Sequence, residues 1–177
     1  MALLITTFAP WKAHQTTNSS EELLSLVLAQ YNLSPSVRLL RNLPVHFQLA
    51  PAQVLSALYQ HPPTTVICCG MAEQRSHLNL ERYAHHAGTR LETTVDLPQL
   101  AAGREWSTIS HDAGNFVCNA LYYRLLEHIN DNRLTMQGLF IHIPPLTDYN
   151  RQPLLQDFVN VLSRLQPDTV TANQSAA

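Results

Sequence analysis

The sequence predicts a single α/β domain in which a mostly parallel, twisted sheet is covered by helices on both faces. Compact apolar runs typical of buried strands alternate along the chain with segments whose apolar residues repeat at helical spacing. Strands that alternate with helices in this way are usually parallel. The length of 177 residues suits one domain. We expect this domain over residues 1–167, followed by a small, polar, disordered tail over residues 168–177.

The amino-terminal half contains three predicted strands and two predicted helices. The strands are the apolar, β-rich runs at residues 2–8, 37–43 and 64–69. A helix is predicted over about 19–32, because Ser19-Ser20-Glu21-Glu22 has the spacing of a capping box and apolar residues then recur at helical spacing. A second helix has Pro51 in its first turn.

The carboxy-terminal half continues the alternation. Strands are predicted at residues 81–86 and 138–143, and the latter run is closed by Pro144. One helix follows Asp112-Ala113-Gly114, and a last helix covers about 151–165. Residues 92–108 mix proline, glycine and polar residues with little periodicity, so we interpret them as mostly loop.

Composition excludes several classes of function. Eleven basic and thirteen acidic residues give a net charge of −2 without a basic cluster, which argues against nucleic acid or an anionic membrane as partner. The five glycines are too scattered for a phosphate-binding loop. No apolar stretch approaches the roughly 20 residues of a membrane span, and the first residues lack the features of a signal peptide. With an odd number of cysteines, we expect reduced thiols, a cytoplasmic location and no cofactor.

Three polar residues follow or end predicted strands, where open α/β sheets bind ligands. Cys118 lies in the first turns of a helix, where the helix dipole favours a thiolate, and His142 lies near the end of an apolar strand. Each has an ordinary structural explanation, Cys118 as a small core residue and His142 as a hydrogen-bonded core residue. Glu81 has one too, as the partner of Arg82 in a surface ion pair. Together they would supply the thiol, imidazole and carboxylate of a nucleophilic triad.

At these residues the sequence resembles the pyroglutamyl peptidase I family, peptidase family C15, whose members remove an amino-terminal pyroglutamate from peptides. Asp112-Ala113-Gly114-Asn115-Phe116-Val117-Cys118-Asn119 is similar to the family's Ala-Gly-x-Phe/Tyr-x-Cys-Asn signature. Gly138-Leu139-Phe140-Ile141-His142-Ile143-Pro144 is similar to its Phe-Ile-His-Val/Ile-Pro segment, and Leu80-Glu81-Arg82 falls at its Glu-Arg pair. The resemblance implies Cys118 as nucleophile, His142 as base, Glu81 as the orienting acid, and a thioester intermediate.

The resemblance also implies a pocket for the pyrrolidone ring of a pyroglutamyl peptide. Blocks around Thr7-Phe8-Ala9-Pro10-Trp11 and Asn18-Ser19-Ser20 stand where the family has Gly-Phe-x-Pro-Phe-Gly and Asn-Pro-Ser. Arg90 stands near a family arginine that helps to stabilise the oxyanion. The implied substrate-binding residues are Phe8 and Trp11 as walls, Phe116 and Val117 as floor, Asn18, and the backbone around Gly70 and Met71.

Two departures from the family bear on what this pocket accepts. The family's Gln-Ala-Gly-Gly-Arg is replaced by Met71-Ala72-Glu73-Gln74-Arg75, which brings side chains into a tight loop. Between Arg90 and Trp106 the chain lacks a family segment that contains Tyr-Phe-Ser-Thr-Leu-Pro and a helix. Because that segment contributes to subunit contacts in the family, formation of a homo-oligomer stays open.

Two other interpretations of the sequence remain. The altered loop and the missing segment are compatible with a catalytically weakened member of peptidase family C15 that binds another small amide or a protein partner. A metal site is suggested by His85-His86 and Cys68-Cys69, but adjacent residues in a strand point to opposite faces and nothing has ligand spacing. We therefore expect no metal.

Overall fold

A computed structural model describes residues 2–13 and 15–173, and a six-stranded sheet forms its centre. Along the chain the elements are β1 (Leu3–Phe8), α1 (Ser19–Gln30), β2 (Tyr31–Leu33), β3 (Val37–Leu43), α2 (Leu49–Gln60), β4 (Thr65–Met71), β5 (Leu78–Glu81), β6 (Tyr83–His86), β7 (Thr89–Glu92), α3 (Leu97–Ala101), β8 (Ser107–Ser110), α4 (Val117–Asp131), β9 (Gln137–Ile143), α5 (Arg151–Leu165) and β10 (Val170–Ala172). No helix within this part of the chain is long and apolar enough to cross a membrane.

The central sheet is mostly parallel, as predicted. Its strand order is β3-β1-β4-β9-β5-β8, and all neighbours are parallel except β5 and β9. Helices α1 and α5 contact each other on one face, and α2 and α4 contact each other on the opposite face. The chain is therefore a single α/β domain with a helical layer on each side of the sheet.

Burial on both faces explains why the central strands have no polar alternation. The side chains of β1 are buried throughout, and those of β4 and β9 are buried except at one end. Alternate residues enter two separate cores: Ile5 and Ile67 pack with α1 and α5, whereas Leu4 and Val66 pack with α2 and α4. Each large side chain that is buried in this way stabilises the fold by about 1.5–3 kcal/mol.

The region between β4 and α4 differs from the prediction. The strand expected at residues 81–86 is divided between β5, in the central sheet, and β6, which forms an antiparallel hairpin with β7. The loop expected at 92–108 contains α3 and the edge strand β8. Helix α3 has only five residues and starts at an Asp96 cap, so it is too short to show a helical period. Strand β8 is mostly polar and lies at the sheet edge.

The prediction of a disordered tail from residue 168 is wrong for residues 170–172, which form a strand. Strand β10 pairs antiparallel with β2, and Ser34 donates a backbone hydrogen bond of 2.9 Å to the carbonyl of Thr169. A strand that forms by backbone pairing and has no buried apolar face shows no alternating apolar pattern, so the sequence did not predict it. Residues 174–177 lie outside the described residues.

Candidate active site

The candidate site lies where β4 and β9 end beside the first turn of α4. The parallel register of these strands places Gly70 opposite His142, and the antiparallel pairing with β5 places Asn79 on the other side of His142. Side chains alternate along a strand, so His142 faces the same core as Phe140, the core that contains α4. The carboxyl end of a strand therefore presents an imidazole to the amino end of a helix.

Glu81, the last residue of β5, contacts His142 directly. Its Oε1 lies 2.7 Å from Nδ1 of His142, and both side chains are buried. The other carboxylate oxygen, Oε2, has no hydrogen-bond partner among the residues that the structure describes. The hydroxyl of Tyr122, on α4, donates a hydrogen bond of 2.8 Å to the backbone carbonyl of Glu81. The carboxylate is thus held at a fixed place and is directed at one nitrogen of the imidazole.

Cys118, the second residue of α4, completes the cluster. Its thiol is half-buried and lies close enough to His142 to raise the pKa of the imidazole. The sulfur lies so close to the backbone of Gly70 that a Cβ atom built there would stand 2.7 Å from Sγ. Gly70 is required because only a residue without a side chain admits the sulfur. The structure therefore brings together Glu81, His142 and Cys118, which the sequence predicted as a set.

The electrostatic environment favours a protonated His142. Burial lowers the pKa of His142, but the interactions with Cys118 and Glu81 outweigh that effect and raise the pKa from 6.5 to about 9. Near neutral pH the ring is therefore a cation between a carboxylate and a sulfur atom. A cationic imidazole beside a cysteine is the arrangement found at nucleophilic thiols.

The other two cysteines lie in a different environment. Cys68 and Cys69, on β4, are fully buried and free. Burial raises the pKa of the Cys68 thiol to about 12 and raises that of Cys69 well above its ordinary value. Both are consequently neutral core residues. Across residues 2–13 and 15–173, no three His, Cys, Asp or Glu side chains are grouped as metal ligands.

Aromatic side chains cover the amino end of α4. Phe116 occupies the N-cap position, and its ring centroid lies 4.9 Å from that of Trp11 and 5.6 Å from that of Phe47. All three rings remain partly exposed, whereas Val117 is buried in the core. Phe116 and Val117 directly precede Cys118 in the chain, and Trp11 packs against Phe116.

Two other predicted substrate residues have mainly structural contacts. The ring of Phe8 is only 2% exposed and packs into the core against α2, so it is not an exposed pocket wall. Asn18 caps α1 by accepting a hydrogen bond from the backbone N–H of Ser20, and its amide donates to the carbonyl of Ala9 at 3.4 Å. Asn18 thereby connects the start of α1 to the loop that carries Trp11.

Arg90, the predicted oxyanion residue, lies in an exposed hairpin strand. Its guanidinium stacks over the ring of Tyr83 at 4.1 Å. The arginine that lines the cleft beside His142 is Arg75, whose Nη2 donates a hydrogen bond of 3.1 Å to the carbonyl of Asp112. Asp112 begins the segment that leads into α4, so Arg75 links the two sides of this cleft.

The cleft beside His142 encloses about 300 Å³ and is lined by the altered loop. Its lining residues are Ala72, Glu73, Gln74, Arg75, Ala113, Gly114 and His142. Glu73 lies 2.5 Å from Nζ of Lys12 and 2.8 Å from Nε2 of Gln15. The sequence indicated only that Glu73 adds bulk here. Its partners are about sixty positions away, and no spacing rule connects such distant residues.

An α/β domain that brings a thiol, an imidazole and a carboxylate together has the site composition of a thiol peptidase. The family model for pyroglutamyl peptidase matches residues 1–95 and 104–153. This chain therefore belongs to the pyroglutamyl peptidase family, peptidase family C15, and the resemblance seen in the sequence is confirmed. Between the two matched ranges, the unmatched residues 96–103 contain α3.

Individual relatives agree with this assignment. The chain is 30% identical over 175 residues to a pyrrolidone-carboxylate peptidase of Gloeobacter violaceus, covering 84% of this chain and 83% of the relative. It is 29% identical over 172 residues to that of Bacillus licheniformis, with coverages of 82% and 79%.

Solved structures confirm the predicted fold. Pyroglutamyl peptidase I from Bacillus amyloliquefaciens superposes with a TM-score of 0.77 at 21% identity and covers 95% of this chain and 96% of its own. The pyrrolidone carboxyl peptidase from Thermococcus litoralis superposes with a TM-score of 0.74 at 19% identity, with coverages of 94% and 96%.

Proposed function

We propose that this chain hydrolyses the bond after an amino-terminal pyroglutamate in peptides, with Cys118 as nucleophile, His142 as proton carrier and Glu81 as the acid that orients it. The observation that carries the proposal is the buried contact of 2.7 Å between Glu81 and His142, whose ring also interacts with the thiol of Cys118. Membership of the pyroglutamyl peptidase family supplies the substrate class.

In the first half of the reaction, the thiolate of Cys118 attacks the carbonyl carbon of the pyroglutamyl residue. The resulting tetrahedral oxyanion collapses, the carbon–nitrogen bond breaks, and His142 donates its proton to the departing amine. In the second half, neutral His142 takes a proton from a water molecule that attacks the thioester. Collapse of the second oxyanion releases pyroglutamate and restores the thiolate and imidazolium.

Glu81 keeps the imidazole in the orientation that both proton transfers need. Its Oε1 accepts from Nδ1–H of His142, which leaves Nε2 as the nitrogen that exchanges protons with sulfur, amine and water. The anchoring hydrogen bond from Tyr122 restrains the end of β5 that carries this carboxylate. Tyr122 is in this sense a positioning residue.

The start of α4 is suited to stabilise the oxyanion. Phe116 at the N-cap has no hydrogen-bonding side chain, so no cap satisfies the first backbone N–H groups of the helix. These groups lie next to the nucleophile and point out of the helix end, as donors to a developing negative charge must. Donors that are aimed in this way typically lower a barrier by about 3–4 kcal/mol each.

The aromatic side chains beside Cys118 are suited to a flat, neutral ring. Trp11 and Phe116 are tilted by 39° and present partly exposed faces next to buried Val117. The pyrrolidone ring carries one amide donor and one carbonyl acceptor, and the backbone around Gly70 and Met71 offers the complementary groups. An apolar site with a few directed polar groups discriminates well against ligands that lack them. Three free thiols also fit our proposal of a cytoplasmic location.

The test is the release of a fluorophore from a pyroglutamyl amide by the purified chain under reducing conditions. We expect cleavage that disappears in Cys118→Ala. Cys69→Ala, which removes a buried thiol on the opposite face of β4, serves as the matched control. Cleavage that survives in Cys118→Ala would overturn the assignment of the nucleophile. If the wild-type chain cleaves nothing although iodoacetamide labels Cys118 rapidly, the alternative of a catalytically weakened binding protein would replace this proposal.

A further inference from the structure

We propose that a groove running away from His142 binds the peptide chain that follows the pyroglutamyl residue, and that it favours peptides with an aromatic side chain there. The groove begins at the cleft beside His142, passes Glu73 and Arg75, and ends at Trp106 and Tyr149. We call it the downstream groove. This inference rests on the proposed function and adds a preference beyond the scissile bond.

The chemistry of the reaction determines the direction in which the peptide leaves. His142 must reach the nitrogen of the leaving amine to protonate it, so the first residue after the scissile bond lies on the His142 side of Cys118. The pyrrolidone ring lies on the other side of the bond, among the rings around Phe116. Phe116 and Phe47 line a separate cleft of about 430 Å³, whereas His142 lines the cleft with the Ala72–Arg75 loop.

The two cavities on the His142 side share a boundary. Glu73 and Arg75 line both the cleft beside His142 and a neighbouring open groove of about 670 Å³. Lys12 and Gln15 hold Glu73 from one side, and the hydrogen bond to Asp112 holds Arg75 from the other. A peptide that extends past His142 therefore meets a passage with restrained polar walls, one acidic and one basic, and continues into the larger groove.

The far end of the downstream groove is aromatic. Trp106 has its ring centroid 5.6 Å from that of Tyr149 and 5.5 Å from that of His77. Tyr149 is 80% exposed, and Trp106 is partly exposed although it packs against the core. Rings at these distances in tilted or edge-on arrangements leave faces that attract a further aromatic side chain. Three adjacent rings at the end of a passage from the catalytic imidazole thus form a binding surface for a peptide side chain.

The aromatic end of the groove follows a short segment that the family model does not match. The family match stops at residue 95 and resumes at 104, and the unmatched segment contains α3, which leads directly to Trp106. The backbone N–H of Trp106 donates to the buried carboxylate of Asp157 at 2.9 Å, which fixes where the indole emerges. The position of the Trp106 ring in the aromatic surface therefore depends on α3 and on the hydrogen bond to Asp157.

The test uses pyroglutamyl pentapeptide amides in which one phenylalanine stands at the second, third or fourth residue and every other residue after pyroglutamate is alanine. These peptides are compared with the peptide that has alanine at all of these positions. We expect at least one phenylalanine peptide to have a kcat/KM about fivefold higher than that of the all-alanine peptide. Tyr149→Ala and Trp106→Ala should remove this preference. Both should leave unchanged the cleavage of a short fluorogenic pyroglutamyl amide, which ends before the groove. Tyr59→Ala, at an exposed tyrosine on α2, is the matched control.

Each outcome decides the question. The proposal is overturned if no phenylalanine position is favoured, if both variants keep the preference, or if the short amide and the peptides lose activity in parallel. Trp106→Ala could unfold, but Tyr149→Ala removes only an exposed ring. If the wild type cleaves neither substrate, the proposed function has failed separately. Binding is then read from the tryptophan fluorescence of the wild-type chain, and Trp106→Ala, which keeps Trp11 as the remaining tryptophan, shows which part of the signal comes from the groove. An emission change with the phenylalanine peptides alone supports the groove, and its absence refutes it.

Discussion

The close contact between Gly70 and Cys118 predicts that Gly70→Ala damages catalysis more than it damages the fold. A Cβ at Gly70 would lie 2.7 Å from Sγ of Cys118 and 2.8 Å from Cζ of Phe140, whereas ordinary contact begins at 3.4 Å. The sulfur must therefore move by about 0.7 Å, the difference between 3.4 and 2.7 Å. Overpacking of this kind costs about 1–3 kcal/mol of stability. Since a misplacement of about 1 Å can cost roughly a hundredfold in rate, we expect kcat/KM to fall by tenfold to a hundredfold.

Gly138→Ala is the matched control for this prediction. Gly138 lies on β9, as His142 does, and a Cβ there would meet Ile129 at 3.0 Å and Leu125 at 3.1 Å, without touching Cys118. Both variants should melt at a lower temperature than the wild type, but only Gly70→Ala should lose cleavage of a pyroglutamyl amide below its melting temperature. Full activity in Gly70→Ala, or an equal loss in Gly138→Ala, would refute the argument that Gly70 sets the sulfur position.

Four further predictions concern the titrating and positioning groups. Native protein should take up one equivalent of iodoacetamide, at Cys118, because burial raises the pKa of Cys68 to about 12; peptide mapping that finds Cys68 labelled before unfolding would contradict this. Since the pKa of His142 is raised from 6.5 to about 9 in the folded chain, its contribution to stability is complete below pH 6.5 and is lost as the pH rises through about 9. Urea melts should show the advantage of the wild type over His142→Gln shrinking by up to about 3 kcal/mol across that range, and a constant difference would exclude the linkage. Glu81→Gln removes the charge but keeps the shape, so kcat/KM should fall by roughly 10²–10⁴, and unchanged kinetics would remove Glu81 from the mechanism. Tyr122→Phe leaves the carbonyl of Glu81 without its buried donor, so calorimetry should show that the free energy of unfolding falls by about 1–3 kcal/mol. In this variant kcat should fall more than KM rises. An unaltered kcat would show that Tyr122 serves only the fold.

Strong local patterns were enough to predict the elements that carry the central sheet. The runs that became β1, β4 and β9 are apolar throughout because helices cover both of their faces, and helices α1 and α5 have regular apolar spacing. Elements whose formation depends on partners elsewhere in the chain could not be predicted in this way. Strand β10 exists through its backbone pairing with β2, and α3 depends on a single Asp96 cap over five residues.

The candidate site shows the same division. Alternation along β9 correctly placed His142 on one face, but only the register with β4 and β5 shows that it meets Gly70 and lies within reach of Glu81. The family resemblance assigned roles that spacing could not, since Glu81 and His142 lie 61 positions apart in the chain. The resemblance also implied that Phe8 lines the pocket and that Arg90 helps to stabilise the oxyanion. The structure instead buries Phe8 in the core and places Arg90 on an exposed hairpin, because burial and stacking depend on the packing of this particular chain.

Burial separates the residues of the reaction from those of its selectivity. Glu81, Cys118 and His142 lie on β5, α4 and β9, and the contact between Glu81 and His142 is buried. Trp106 follows α3 and is partly exposed, and Glu73 lies in a loop held by Lys12 and Gln15. A buried hydrogen-bonded set tolerates little change, because each member left alone would be a buried, unpaired polar group. Exposed rings and surface ion pairs contribute little to stability and can change freely. Substitutions along the downstream groove should therefore change which peptides are cleaved, whereas substitutions around His142 should change whether any are cleaved.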